Sequence, residues 1–395
     1  MYGCCTSLPT RQIALERDTP RHRSCAAHAA GAVSLHVLGD YDSAMRTIFA
    51  MLVVCVVGCG CVPATLATSS ASRDDAPRLV AISAQERAVI EAKVREHLKL
   101  PLIAALGPAE FARVTELDLK STAVSDAGAA WIADPATGLT GLATLNLQYT
   151  PVTDAGVAAL ARDNTGIKRL TSLYLAATKV TDAGVQTIAR ADTGLAALTL
   201  IDLRSTAVTD EGVTTLARAD TGLKGLTTLD LSFTKVTDAG IKLLADKVTG
   251  LKGLTVLGLA STQIADAGLS HLARADTGLE GLRTLNLAFT QVTDAGVKAA
   301  ARADSGLAPL HAIFFYGTAV TDIGVADLAR SDTGLKSLKT LELGATAVTD
   351  EGVRALARAD SGLTSLTALH LRETKVTDAG VAAVKARWPG IKVTR

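Results

Sequence analysis

Residues 226–253 read L-T-T-L-D-L-S-F-T-K-V-T-D-A-G-I-K-L-L-A-D-K-V-T-G-L-K-G. The alternation at Leu229 and Leu231 predicts a short strand with one face inward. Val236 follows, then Asp238-Ala239-Gly240, then Ile241, Leu244 and Ala245 at the 3–4 spacing of one helix face. Thr237 is a natural N-cap, with Asp238 favourable at the positive end of the helix. Gly250 is expected to close the helix by a left-handed turn. The unit repeats. Asp-x-Gly begins at Asp126 and returns every 28 residues at Asp154, Asp182, Asp210, Asp238, Asp266, Asp294, Asp322, Asp350 and Asp378. Ten copies without an insertion define a solenoid.

The pattern L-x-x-L-x-L (Leu226, Leu229, Leu231) is followed by threonine at one position of all ten repeats, Thr122 to Thr374. Together they resemble the leucine-rich repeat family over residues 114–395. The long helix and the Gly two after the Asp are most similar to its ribonuclease-inhibitor-like class, with kinship to the cysteine-containing class of F-box proteins. The resemblance implies an α/β solenoid, a horseshoe with a parallel β-sheet on the concave face and helices outside. Those classes usually place Asn or Cys where this chain has Thr, whose hydroxyl can donate to the backbone of the adjacent turn.

A repeat cannot stand alone. Its six or so apolar side chains contribute about 2 kcal/mol each on burial, while ordering its backbone costs ~1–2 kcal/mol per residue. Stacking must supply the difference. In the eighth repeat the core leucine becomes Phe315, and in the helix before it the leucine becomes Ala300. Close packing predicts that these changes compensate in volume.

Ahead of the repeats the chain changes character several times. Residues 1–44 carry no fold signal and, with Met45 as start codon, fall outside the translated protein. Residues 45–61 read as a signal peptide: Arg46, then an apolar run from Ile48 to Val57, too short to span a bilayer. Val56-Val57-Gly58-Cys59 resembles a bacterial lipobox, which implies lipidation of Cys59 and an envelope protein whose membrane contact is a lipid anchor. Ordinary cleavage near Ala67 is the alternative, and a buried apolar helix with an incidental cysteine is the third reading. Residues 62–78 read as a flexible linker. Residues 79–113 read as a helical cap over the open end of the stack.

All six cysteines lie at or before Cys61, so the repeats have neither disulfides nor thiolate metal sites. A net charge of +1 gives no electrostatic case for nucleic acid. Asp-Thr/Ser-Gly recurs at Asp192, Asp220, Asp276, Asp304, Asp332 and Asp360. Aspartic protease chemistry needs two such aspartates facing each other, and stacked copies never face, so the triplets read as turns. A column of arginines from Arg162 to Arg358, broken by Asp246, reads as solvated Arg–Asp pairs rather than an anion ridge. His271, His311 and His370 fall in separate repeats without metal-ligand spacing. No cofactor or metal is expected, and no catalytic constellation.

Functional information then lies where the repeats disagree. The column between the strand leucines runs Asp118, Asn146, Tyr174, Asp202, Asp230, Gly258, Asn286, Phe314, Glu342, His370. The next runs Lys120, Gln148, Ala176, Arg204, Ser232, Ala260, Ala288, Tyr316, Gly344, Arg372. The candidate partner-binding residues are Tyr149, Tyr174, Arg204, Phe233, Phe289, Phe314, Tyr316 and Arg372, with Tyr174, Phe314 and Tyr316 foremost. Exposed aromatics on a rigid surface are interface anchors, although Phe233 and Phe289 have a second reading as residues that tuck under the following loop. The expectation is a monomeric, non-enzymatic scaffold holding a protein partner. The alternative is an F-box-like adaptor or secreted effector that recruits a substrate for ubiquitin ligation.

Overall fold

The computed structural model describes residues 82–395. The leader, lipobox cysteine Cys59 and linker lie outside the described residues. Eleven short parallel strands form one sheet in strict chain order. They are β1 Glu116–Asp118, β2 Thr144–Asn146, β3 Ser172–Tyr174, β4 Leu200–Asp202, β5 Thr228–Asp230, β6 Val256–Gly258, β7 Thr284–Asn286, β8 Ala312–Phe314, β9 Thr340–Glu342, β10 Ala368–His370 and β11 Lys392–Thr394. A helix opening on the Asp of each Asp-x-Gly follows every strand but the last, from Asp126–Ala133 to Asp378–Arg387. The fold is an α/β leucine-rich repeat solenoid.

The core runs unbroken along the stack. Leu226, Leu229, Leu231, Val236, Ile241, Leu244 and Leu251 of the fifth repeat are fully buried, and their counterparts elsewhere join the same cluster. Phe315 and Ala300 are both fully buried within it. Each strand is pinned to the next in register, Leu229 opposite Leu257 and Asp230 opposite Gly258.

Hydrogen bonds give the Asp-x-Gly signature a second role beside opening each helix. Thr209 does cap its helix, accepting from the Glu211 N–H at 3.2 Å. The aspartate reaches forward into the next repeat. Asp182 Oδ1 accepts from the Thr209 N–H at 2.8 Å and the Gly212 N–H at 3.0 Å, while Oδ2 accepts from the Thr209 hydroxyl at 2.7 Å. The carboxylate therefore sits at the N-terminus of the neighbouring helix, satisfying donors that a helix leaves orphaned. Glycine follows from this: a Cβ on Gly212 would lie 2.5 Å from Asp182 Oδ1.

The invariant threonine column does not form the expected ladder between turns. Thr150 Oγ1 donates to the Leu147 carbonyl of its own repeat at 2.7 Å, and the other nine do likewise. It locks the chain reversal after the strand. The residue before it sits at positive φ in every repeat, from Ser121 at 57° to Glu373 at 58°, and only Gly317 uses glycine there. Hydroxyls that do bridge repeats belong to another column, such as Thr227 Oγ1 to the Thr199 carbonyl at 3.1 Å.

Gly250 also differs from expectation. The helix Asp238–Leu244 ends at Ala245 with φ −81°, five residues earlier. Gly250 is not among the glycines at positive φ. A Cβ there would lie 2.2 Å from the Arg218 carbonyl oxygen. Close approach of consecutive turns, not a left-handed cap, demands this glycine.

Before β1 lie α1, Ala84–Leu98, and α2, Pro108–Ala112. Ile90, Val94 and Phe111 enter the core, and Phe111 meets Trp131 edge-on at 5.7 Å. Glu86 of α1 takes the place an aspartate would hold in a preceding repeat. Its Oε1 accepts from the Ser125 N–H at 2.9 Å and the Ser125 hydroxyl at 2.7 Å. Burial works to raise the Glu86 carboxyl, but hydrogen bonds from Ser125 and Ser83 outweigh it and hold it below the ordinary carboxylate range.

Candidate functional site: the sheet face

Strand alternation turns Leu229 and Leu231 inward and sets residues 228, 230 and 232 outward. Each repeat thus offers three side chains on the sheet face. A fourth, at the positive-φ position, stands at the edge of that face. Because the backbone is fixed by the ladders behind it, these positions are free to vary without loss of fold.

The N-terminal half of the face is a polar network. Arg204 grips Asp202 with two hydrogen bonds, Nε to Oδ1 at 2.9 Å and Nη2 to Oδ2 at 2.8 Å. Gln148, two repeats earlier, donates to Asp202 Oδ2 at 3.1 Å. Asp230 Oδ2 lies 3.6 Å from Arg204 Nε, while its Oδ1 accepts from the Ser232 N–H and hydroxyl. The hydrogen bonds Arg204 donates to Asp202 raise the Arg204 pKa further, so the guanidinium stays charged. Burial raises the Asp230 carboxyl in spite of Ser232. Tyr174 is half-buried beside this network, its residue paired in register with Asn146 and Asp202. Tyr149 lies 5.6 Å from Lys120 Nζ in a cation–π contact.

The C-terminal half is aromatic, then mixed. Phe289 meets Tyr316 edge-on, 5.2 Å between ring centres. Both rings lean toward the next repeat over glycines. A Cβ on Gly317 would lie 2.6 Å from Phe289 Cδ1, and one on Gly344 the same distance from Tyr316 Cδ2. Phe314 and Tyr316 are half-buried, whereas Phe233 and Phe289 keep 39% and 47% of their surface in solvent. The two phenylalanines at the edge are therefore the more accessible aromatics, and Phe289 packs and remains exposed at once. Glu342 is buried and accepts from the Gly344 N–H at 2.7 Å. Burial raises its carboxyl against that hydrogen bond and the charges of His370 and Arg372. His370 Nδ1 contacts the Thr394 hydroxyl at 2.7 Å, and Arg372 is exposed.

The eight candidate residues thus fall into separate groups. Tyr149, Tyr174 and Arg204 lie on the first four repeats. Phe289, Phe314 and Tyr316 cluster on the seventh and eighth. Phe233 stands between them, and Arg372 stands at the far end. Sequence reasoning passed over Asp202, Asp230 and Glu342 as binding candidates, although their columns were in view. Asp202 and Glu342 are buried and Asp230 half-buried, which a repeat pattern alone does not reveal. It also overlooked the outward column that begins each strand, including Leu200 and Val256.

The helix side holds what the triplets and arginines build. Arg190, Arg218, Arg274, Arg302, Arg330 and Arg358 each bind the aspartate two residues on, through two hydrogen bonds, in exposed pairs. The Asp-Thr/Ser-Gly triplets are the turns that follow the helices. Two shallow clefts lie on this side, one beside Arg162 and Asn164, the other beside Gln186 and Glu211. Among the described residues no group of three or more His, Cys, Asp or Glu side chains converges on a metal-sized site. Nor is any described helix long and apolar enough to cross a membrane.

The architecture is that of a leucine-rich repeat solenoid. The family model described as Leucine Rich repeat matches residues 141–161, 226–245, 282–299, 334–357 and 362–385. Among solved structures the chain is similar to an internalin, InlF, from Listeria monocytogenes at 19% identity and a TM-score of 0.33. That match covers 78% of this chain and 94% of the other. Internalin C2 of the same organism gives 19% identity, a TM-score of 0.36, and coverage of 78% and 92%. The functional domain of InlJ from Listeria monocytogenes, which includes a cysteine ladder, gives 17% identity, a TM-score of 0.39, and coverage of 72% and 54%. No curated protein matches this sequence.

Proposed function

We propose that this chain is a non-enzymatic protein-binding scaffold of the bacterial cell envelope, with its partner held on the concave sheet face. The observation that carries the reading is the aromatic cluster of Phe289, Phe314 and Tyr316. These rings sit on a rigid sheet, Phe289 and Tyr316 leaning over Gly317 and Gly344, with Phe289 47% exposed. Rings held at fixed positions lose little rotamer freedom on binding, which is why aromatic anchors dominate interfaces. Phe233, Tyr149 and Tyr174 extend the surface, and Arg204 and Arg372 supply its exposed cations. The leader ending at Cys59 supports placement at the envelope, with the repeat domain acting as a monomer beyond its linker.

The test is position-specific photo-crosslinking in envelope extract. A photoreactive residue at Phe314 on the sheet face should capture a discrete partner. The same residue at Lys298 on the helix side should not. The capture should weaken in a Tyr174→Ala/Tyr316→Ala variant. Equal capture from both faces, or capture indifferent to the tyrosines, would overturn the reading.

A further inference from the structure

Between its polar and aromatic halves the sheet face drops to a floor of small residues. The second and third outward positions of β6 and β7 hold Gly258, Ala260, Asn286 and Ala288. One wall is Asp230, whose carboxylate leans over this floor: a Cβ on Gly258 would lie 2.2 Å from its Oδ1. The other wall is Phe314 and Tyr316, with Phe289 edge-on to the tyrosine. Neighbouring strands stand about 4.8 Å apart, so three intervals from β5 to β8 make a trough about 14 Å across. That width admits a polypeptide segment with its side chains.

Charge narrows the choice of occupant. From β5 to β9 the outward strand positions carry two formal charges, Asp230 and Glu342, and both are negative. Arg283, His311 and Lys339 stand one residue before β7, β8 and β9, outside the outward strand positions, and Arg283 Nη1 is buried. Arg204, at 3.6 Å, is the cation nearest Asp230, and it is already committed to Asp202 through two hydrogen bonds. Glu342 has His370 at 4.0 Å and no closer ion pair. Burial raises the carboxyls of both Asp230 and Glu342, and a cation brought beside either would favour its charged form.

Building on the sheet-face reading above, we propose that the trough receives a protein segment bearing lysine or arginine. One cationic end meets Glu342 while its aliphatic stem lies on the rings of Phe314 and Tyr316. A second meets Asp230 across the floor. Long basic side chains suit such a site because stem and head have different tastes, apolar surface and carboxylate. A phosphate backbone or an acidic peptide would meet only like charge on these strands.

The full chain is titrated by fluorescence anisotropy with three synthetic peptides. They share one length and one apolar framework and carry lysines, glutamines or glutamates at the same positions. The lysine peptide should bind at least about tenfold more tightly than the glutamate peptide, as desolvated charge pairs allow. Its advantage should shrink with added salt and in an Asp230→Asn/Glu342→Gln variant. Phe314→Ala should weaken the lysine peptide most, because that ring carries the lysine stem. Equal binding of the three, a preference for glutamate, an unchanged preference in the Asn/Gln variant, or no binding by any peptide overturns the proposal. Should no peptide bind while the photoreactive residue at position 314 still captures a partner, the sheet-face reading stands and the basic-segment inference falls. Loss of both removes both.

Discussion

The seam between consecutive helices and the face of the sheet obey opposite rules, though both are built from the same ten repeats. At the seam, Asp, Thr and Gly recur almost without change, because every aspartate before Asp378 satisfies donors on the following repeat and the glycine there makes room for that carboxylate. On the sheet face the outward residue can be Tyr174, Gly258, Phe314 or His370 without disturbing the register. Invariance reports a contact inside the chain. Variation marks a surface whose contacts lie elsewhere.

The contrast is broken most directly at a seam glycine. Gly212→Val places a branched side chain where Asp182 Oδ1 sits, and should cost about 3 kcal/mol or more from overpacking and the lost hydrogen bonds. Chemical denaturation should then show two transitions, one on each side of the damaged seam, since a solenoid couples only neighbours. A single unshifted transition would contradict the packing role of the glycine. Next comes the core beneath both regions. Phe315→Leu should cost about 1–2 kcal/mol by leaving a cavity. Ala300→Leu should cost a similar amount by overpacking. If the two positions compensate in volume, the double variant should recover more than about 0.5 kcal/mol relative to the sum.

One seam is weak. Ala265 stands where eight repeats have a capping threonine and the first has Ser125, so Asp238 receives the Ala265 N–H at 2.8 Å but no hydroxyl. Ala265→Thr should stabilise the stack by about 1 kcal/mol, the usual worth of a cap, raising the melting midpoint. On the edge of the sheet face the sign is expected to reverse relative to the seam. Phe233 holds φ 60°, a conformation that suits glycine. Phe233→Gly should be neutral or stabilising by up to about 1 kcal/mol, while partner capture falls. Binding would thus be maintained at some expense of stability, as functional surfaces commonly are.

The smallest effect concerns pH. The folded Glu342 carboxyl is raised by burial, so the folded state binds the proton more tightly than the unfolded one. Its penalty is absent below the ordinary carboxylate range, grows as pH rises through the raised value, and is complete above it. Glu342→Gln should therefore stabilise the protein at neutral pH and lose that advantage in acid. Denaturation midpoints at the two pH values check this. An equal gain in both would point to packing instead of ionisation.

Much of the architecture was legible in the spacing. The period gave the solenoid, the alternation of Leu229 and Leu231 the strand, and Thr237 the helix start. Three roles were not. Thr150 bonds within its own repeat, Asp182 bonds forward to the next, and Gly250 serves a close approach. Each concerns a contact between residues far apart in sequence or a choice between equally available partners, which local propensity does not rank. The sheet-face columns could be written down from the sequence. The link from Gln148 to Asp202 could not, because it skips a repeat.

By itself the sequence determined the repeat, its strand and helix, and which side chains face outward, since these follow from periods of 2 and 3.6 residues in a chain without insertions. Only the tertiary structure decided what the constant residues bind, how deeply Asp230 and Glu342 are buried, and that small residues on β6 and β7 separate an acidic wall from an aromatic one. Those facts depend on distances between repeats, and such distances are set by how the repeats stack.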